Sequence, residues 1–191
     1  MKEKLEAAIA YRTLCKNKGI QYQKDLKIQK KKQKDIESAI SFLQFIAKET
    51  QQNIEKRLSE IVTSALQTVY PEEDYEFRIK FVEKRNSTEC QLLFAKDGDE
   101  FRPLEESGGG PIDIAALALL VSFIKLEKKR PLIITDEPFK NVSKQKLPIA
   151  VQLLKNICEK LDFQIIMVTH FDEIIKFSDK SFKVVKGEIH G

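Results

Sequence analysis

Leu132-Ile133-Ile134-Thr135-Asp136-Glu137-Pro138 is the stretch on which the reading of this chain turns. A short, partly β-branched apolar run ending on two acids reads as a buried strand whose charged end leaves the sheet. In open α/β sheets, ligands bind at the carboxyl ends of the strands. Asp136 is placed there to hold Mg²⁺, directly or through water. Glu137, beside it, is placed to orient and polarise an attacking water. The plainer alternative is a pair of acids at a helix N-terminus, stabilised by the helix dipole.

Reading forward, a helix is expected over about 143–161 and a second buried strand over 163–169. His170 follows that strand directly and so belongs to the same sheet edge as Asp136 and Glu137. A single histidine after a strand is commonly structural, but beside two acids its imidazole suits a terminal phosphate oxygen. A short helix over about 171–177 leads to a last strand over 181–186, turned by Gly187.

Reading backward, Ser107-Gly108-Gly109-Gly110-Pro111 opens a helix of about 112–128. That helix is apolar on almost every face and is expected to be buried. Lys129-Arg130-Pro131 ends it. Glycines let backbone N–H groups approach an anion, and a helix N-terminus favours negative charge. A flexible glycine turn is the plain alternative. No Gly-Lys dipeptide occurs in the chain, so a phosphate-binding P-loop is absent. Strands alternating with helices imply a largely parallel sheet covered on both faces.

Residues 1–70 are a different object. They hold one glycine, Gly19, and no proline. They carry 14 Lys and Arg against 8 Asp and Glu, a net +6, whereas the rest carries 19 against 21, a net −2. A heptad grid lands on Ile36, Ile40, Leu43, Ala47, Thr50, Ile54, Arg57 and Ile61, and a second stripe on Ile54, Leu58, Ile61 and Ala65. Two apolar faces near the C-terminal end fit a coiled coil entering a globular head. Before Ile36 the grid fails, leaving solvated helix or a bend near Gly19. A helix from Ile20 to Tyr70 would be about 75 Å long at ~1.5 Å per residue, and Pro71 would stop it. The run Lys30-Lys31-Lys32-Gln33-Lys34 reads as a solvated coil face or as a contact to a phosphate backbone.

Between these parts, Tyr75, Phe77, Ile79 and Phe81 alternate with Glu76, Arg78 and Lys80. With a second strand near 90–95 and an Asp97-Gly98 turn, they predict an antiparallel hairpin over 75–95.

The 191 residues suit one moderate domain with an extension. No uninterrupted apolar run approaches the ~18 residues of a membrane span; the longest, 114–121, has eight. No membrane partner is expected. Cys15, Cys90 and Cys158 stand far apart, against a disulfide framework and for a reducing compartment.

Taken in order, the glycine-rich helix start, the strand ending in Asp-Glu-Pro and the strand ending in Thr-His resemble the C-terminal lobe of an ABC-type ATPase head. Residues 107–110 resemble the signature motif and 132–137 the Walker B strand with its catalytic glutamate. Residues 139–143 fall at the D-loop, and His170 resembles the switch histidine. The long helix in front is similar to the returning coil of SMC-like and SbcC-type DNA repair ATPases. The phrase Asp136-Glu137-Pro138-Phe139-Lys140-Asn141-Val142-Ser143 is similar to phage-encoded members of that group.

The resemblance implies an α/β fold: a C-terminal ABC lobe over 71–191 with a mostly parallel sheet, preceded by the hairpin and a coiled-coil helix over 1–70. It implies ATP and Mg²⁺ as cofactors, with Asp136 on the metal, and Glu137 and His170 as catalytic residues. Ser107, Gly108, Gly109 and Gly110 would contact the ATP of a second head, and Asn141 and Ser143 would lie on the D-loop. The implied partners are a P-loop-bearing N-terminal lobe, a second copy of the head, a nuclease subunit and double-stranded DNA. The expected setting is the cytoplasm of a bacterial or phage-infected cell, with possible nucleoid association. An SMC-type DNA tether without a nuclease and, less favoured, a transporter ATPase are the alternatives. The missing lobe implies that the chain alone neither hydrolyses nor tightly binds ATP. The loose heptads imply a shortened coil with Met1 as an introduced start. The chain departs from the pattern at Glu106, Gly110, Pro111 and Ser143, the last standing where the D-loop usually has Asp. These departures bear on communication between the two ATP sites.

Overall fold

A computed structural model describes residues 1–85, 87–127 and 130–190, with Glu106 described by its backbone alone. It divides into two units, Met1–Gln51 and Gln52–Gly191.

The first unit is helical throughout, as the N-terminal part of α1 (Lys2–Val69). The helix passes Gly19 without a break, so the bend allowed by the sequence is not there. Its heptad residues Ile36, Ile40 and Leu43 are exposed. Local bonds from Gln33 Nε2 to Glu37 Oε1 at 2.9 Å and from Ser38 Oγ to the Lys34 carbonyl at 2.9 Å decorate the surface.

In the second unit α1 becomes a core element. Leu58, Val62, Ala65, Leu66 and Val69 are buried, a stripe at three- and four-residue spacing. Ile61, expected on the buried seam, is half exposed instead. Pro71 stands where the helix has ended.

The β signal is realised as β1 (Glu76–Lys84), β2 (Ser87–Lys96) and a short β3 (Asp99–Phe101), an antiparallel sheet in the order β1-β2-β3. Phe77 pairs with Phe94 and Ile79 with Leu92. The inward residues Phe77, Ile79 and Phe94 are each 2% exposed or less. Beside α1, the outer edge of β1 is satisfied by hydroxyls. Phe77 N–H donates to Thr63 Oγ1 at 2.8 Å, and Ile79 N–H to Ser59 Oγ at 3.1 Å.

A one-turn helix, α2 (Pro103–Glu106), precedes α3 (Gly109–Leu126). The sequence suggested a start near Ile112, but α3 already begins in the glycine run. Pro111 is compatible because early helical N–H groups need no partner within the helix. The expected helix end at Lys128 and the breaker Lys129 lie outside the described residues. By length and composition α3 is apolar enough to cross a membrane. In this fold Ile114, Ala115, Ala118 and Val121 sit in the core, while Leu120, Phe123 and Leu126 are exposed. The helix is therefore covered on one side, not all round.

Then follow β4 (Leu132–Asp136), α4 (Leu147–Leu161) and β5 (Gln164–Val168). α4 begins four residues later than expected, with Pro148 in its first turn and turns over 139–146. Leu147, Ala150, Val151 and Leu154 bury one face of it. β4 and β5 pair in parallel, with Ile134 opposite Ile166 and Asp136 opposite Val168. A short α5 (Asp172–Ile175) leads to β6 (Lys183–Val185) and β7 (Glu188–His190), an antiparallel pair of their own.

The class is thus α/β with a parallel pair, an antiparallel meander and a long helix. Two expectations change. The last strand joins β7 and not the parallel sheet. The parallel sheet is covered on one face only: Ile133 is buried, whereas Ile134, Ile166 and Val168 are exposed. One principal core joins the end of α1, the meander, α3, Phe139, α4 and Ile174.

Candidate functional site

The parallel register decides what meets at the carboxyl edge of β4 and β5. Asp136 is the last residue of β4, level with Val168, so Glu137 and Thr169 leave the two strands side by side. Glu137 extends the pairing by one bond, its N–H donating to the Val168 carbonyl at 2.9 Å. It then takes a left-handed backbone, φ 48°, uncommon for a residue with a Cβ. That conformation turns the chain and directs the Glu137 carboxylate across the edge.

There His170 Nδ1 lies 2.7 Å from Glu137 Oε1, and Thr169 Oγ1 donates to Glu137 Oε2 at 3.4 Å. Facing an ionised carboxylate, Nδ1 carries the proton and Nε2 is the nitrogen left for another partner. The imidazole stacks on Phe171, with ring centroids 4.2 Å apart. The Thr169 hydroxyl also accepts the Phe171 N–H at 3.2 Å, fixing the turn after β5. The Glu137 side chain is 27% exposed and that of His170 70%. An acid held by two hydrogen bonds at a solvent-facing sheet edge can accept a proton from water.

Asp136 is exposed on the same edge. Among the described residues no cluster of three or more His, Cys, Asp or Glu side chains is arranged to hold a metal. A single carboxylate fits the way Mg²⁺ is held, through one or two carboxylates plus water and substrate phosphates. A tightly bound, all-protein metal centre does not fit this donor set.

The glycine run forms a second cluster, in which each residue has its own constraint. Ser107 closes α2 and is 7% exposed. Its hydroxyl donates to the Pro103 carbonyl at 2.6 Å, inside the fold and not toward a ligand. Gly108, the N-cap of α3, has φ 70°, a region side chains disfavour. A Cβ on Gly109 would stand 2.5 Å from Asn141 Cβ and Cγ. A Cβ on Gly110 would fall on the Tyr70 hydroxyl and 3.0 Å from the Asn141 carbonyl oxygen. Tyr70, at the end of α1, thus occupies the space that a side chain at Gly110 would need.

Tyr70 binds this region to α1. Burial, aided by the charge of Asp113, pushes its phenol up to about 12. Lys146 Nζ lies 5.8 Å from the centre of the Tyr70 ring and pairs with Glu72. Asn141 and Ser143 are exposed on the loop after β4, and Asn141 bonds to Asp113 of α3. The Ser143 carbonyl accepts the N–H groups of Lys146 and Leu147, opening the turn into α4.

The structure therefore brings Glu137 and His170 into contact, with Asp136 adjacent in the chain, and sets Asn141 against Gly109 and Gly110. The loop from Glu137 to Ser143 connects the two groups. Asp113, Tyr70 and Thr169 were not singled out from the sequence. Asp113 had a signal: it is the one acid in a helix otherwise dominated by apolar residues.

No protein-family model and no curated protein matches the sequence. Solved structures do. One, from work on ATP-driven dimerization and DNA-stimulated activation of SMC ATPases, aligns with a TM-score of 0.56 and 18% identity, covering 75% of this chain and 86% of its own. The Smc head domain with an extended coiled coil bound to the C-terminal domain of ScpA, from Pyrococcus furiosus, aligns with a TM-score of 0.58 and 22% identity. That match covers 80% of this chain but 39% of the other. An Smc head bound to the C-terminal winged-helix domain of ScpA gives a TM-score of 0.58 at 19% identity, covering 74% and 43%. The chain has the fold of the C-terminal part of an SMC head domain, and it spans well under half of the latter two proteins.

Proposed function

We propose that this chain is the C-terminal half of an ATP-hydrolysing, SMC-like head that dimerises around ATP and acts on DNA. The observation that carries the reading is the 2.7 Å contact between Glu137 and His170 at the carboxyl edge of the parallel pair, one residue beyond Asp136. In an SMC-type fold that edge is where phosphate chemistry is expected.

In the mechanism, Glu137 accepts a proton from the attacking water as its oxygen bonds to the γ-phosphorus and the bond from that phosphorus to the β,γ-bridging oxygen breaks, with ADP as the leaving group. Thr169 and His170 hold the carboxylate so that little reorganisation is needed at that moment. The Nε2 side of His170 would contact the terminal phosphate in the imidazolium form, in which both ring nitrogens donate. Asp136 would hold Mg²⁺, which when bound neutralises charge on the phosphate oxygens. The backbone N–H groups at the start of α3 would meet the triphosphate of a second head. Ser107 must release the Pro103 carbonyl before its hydroxyl can take part.

An N-terminal lobe with a P-loop completes the site in this reading. The exposed apolar face of β4 and β5, with Ile134 72% and Val168 63% exposed, supports a covering lobe. DNA is the partner that suits the basic first third. Lys24, Lys27, Lys31 and Lys34 recur at three- and four-residue spacing along one side of α1. The motif resemblance favours DNA end processing with a nuclease subunit, in the cytoplasm. The SMC heads that bind ScpA favour a second reading, a DNA clamp without a nuclease.

Mixing the chain with its P-loop lobe tests the core of the proposal. The pair should hydrolyse ATP and dimerise on binding it, while the chain alone should do neither. Low-micromolar or tighter ATP binding by the chain alone would overturn the split site. A nuclease that copurifies and responds to ATP decides for end processing over a clamp.

A further inference from the structure

One side chain fastens the loop after β4 to α3. Asp113, the fifth residue of that helix, accepts the Asn141 backbone N–H on Oδ2 at 2.9 Å and the Asn141 Nδ2–H on Oδ1 at 3.2 Å. Both carboxylate oxygens are engaged, so the pair fixes orientation as well as distance. Gly109 and Gly110 allow the approach, since a Cβ on either would meet Asn141. The next residue, Val142, is buried in the core and its N–H donates to the Phe139 carbonyl at 3.0 Å. Asn141 is therefore the exposed tip of an anchored turn, and Asp113 decides where that tip points. Among the described residues these are the hydrogen bonds that join 139–143 to α3.

We propose that Asp113 is a positioning residue for the ATP cycle: it locks the 139–143 loop in register with the glycine-rich start of α3, so that both elements meet the second head's nucleotide as one rigid surface. This rests on the function proposed above. Without the carboxylate, Asn141 keeps only water as partner for its N–H, and the loop moves independently of Gly108 and Gly109. The device also stands in for the acid that the loop lacks at Ser143. A carboxylate is present, but on the neighbouring helix.

The test is made on the protein completed by its P-loop lobe, with amide exchange measured on this chain. Asp113→Ala should lower kcat about tenfold while KM for ATP changes less than about twofold, because positioning acts on the committed complex. Asn141→Ala removes the side-chain bond but keeps the backbone N–H bond to Oδ2, so it should lower kcat by less than Asp113→Ala, and the double variant should be no slower than Asp113→Ala. Asp113→Asn can keep both bonds if the Asn141 amide flips, and should retain kcat within about threefold. Exchange of the Asn141 amide should quicken about tenfold or more in Asp113→Ala. Melting midpoints monitor folding, and Asn141→Ala, at an exposed position, carries the test if Asp113→Ala is too unstable.

Faster exchange with unchanged kcat would reduce the pair to a structural contact and overturn the proposal. Unchanged exchange would overturn it too. A completed wild type that dimerises on no nucleotide and hydrolyses none overturns the function itself, and this role with it.

Discussion

His170 Nδ1 stands 2.7 Å from Glu137 Oε1, so the acid after β4 and the imidazole after β5 are one hydrogen-bonded unit. Groups acting as a unit lose activity non-additively. In the completed protein, Glu137→Gln should lower the ATP hydrolysis rate about 100-fold or more, leaving ATP-dependent dimerisation intact. His170→Ala should cost about tenfold, and the double variant should fall no further than Glu137→Gln. Steady-state hydrolysis beside sedimentation in ATP reads both. Independent, multiplying losses would show that the contact has no catalytic meaning.

Gly110→Ala should destabilise the chain by roughly 1–3 kcal/mol, since the added carbon meets the Tyr70 hydroxyl and the Asn141 carbonyl. Tyr70→Phe in the same chain should recover part of the loss, because it removes the first obstacle and leaves the second. Urea midpoints of the three variants give the answer. A neutral Gly110→Ala would mean that Tyr70 moves aside freely.

Tyr70 predicts a stability profile in alkali. Its phenol is raised from 10.0 to about 12, chiefly by burial. A group whose folded value is raised stabilises the fold fully below its unfolded value, and that stability is lost as pH rises through the folded one. The melting midpoint should therefore fall between about pH 10 and 12. Tyr70→Phe should flatten that fall, as seen by circular dichroism. An unchanged profile would show that Tyr70 is not the group responsible.

Leu66 is fully buried where α1 enters the core. Leu66→Ala should cost roughly 2–5 kcal/mol, with the denaturation slope unchanged. Ile61→Ala, at a half-exposed position, should cost much less. Equal costs would restore the seam that the heptad pattern implied.

What was legible followed from strong local signals. The alternation at Tyr75–Phe81 and the apolar run at Leu132–Thr135 placed their strands, and the register of two parallel strands then carried His170 to Glu137. Helix starts were misplaced where special residues blurred them. Gly109 to Pro111 looked like a loop yet forms the first turn of α3, and α4, expected from about Ser143, begins at Leu147, just before Pro148. The last pair of strands was hidden because each has three residues, too few for a periodic pattern. Asp113, Tyr70 and the inward turn of Ser107 depend on contacts between distant segments, which no local pattern encodes. Val62 rather than Ile61 is buried because α1 lies beside β1 of the meander, to which Ser59 and Thr63 bond, and joins the common core there.

The hydroxyls of Ser59 and Thr63 have a topological consequence. By occupying outward N–H groups of β1, they make α1 a lateral stop for the meander, which is blocked against recruiting a further strand on that flank. At Phe77 and Ile79 another polypeptide could pair with this sheet only by displacing those hydroxyls, whereas the opposite flank is β3, a strand only three residues long.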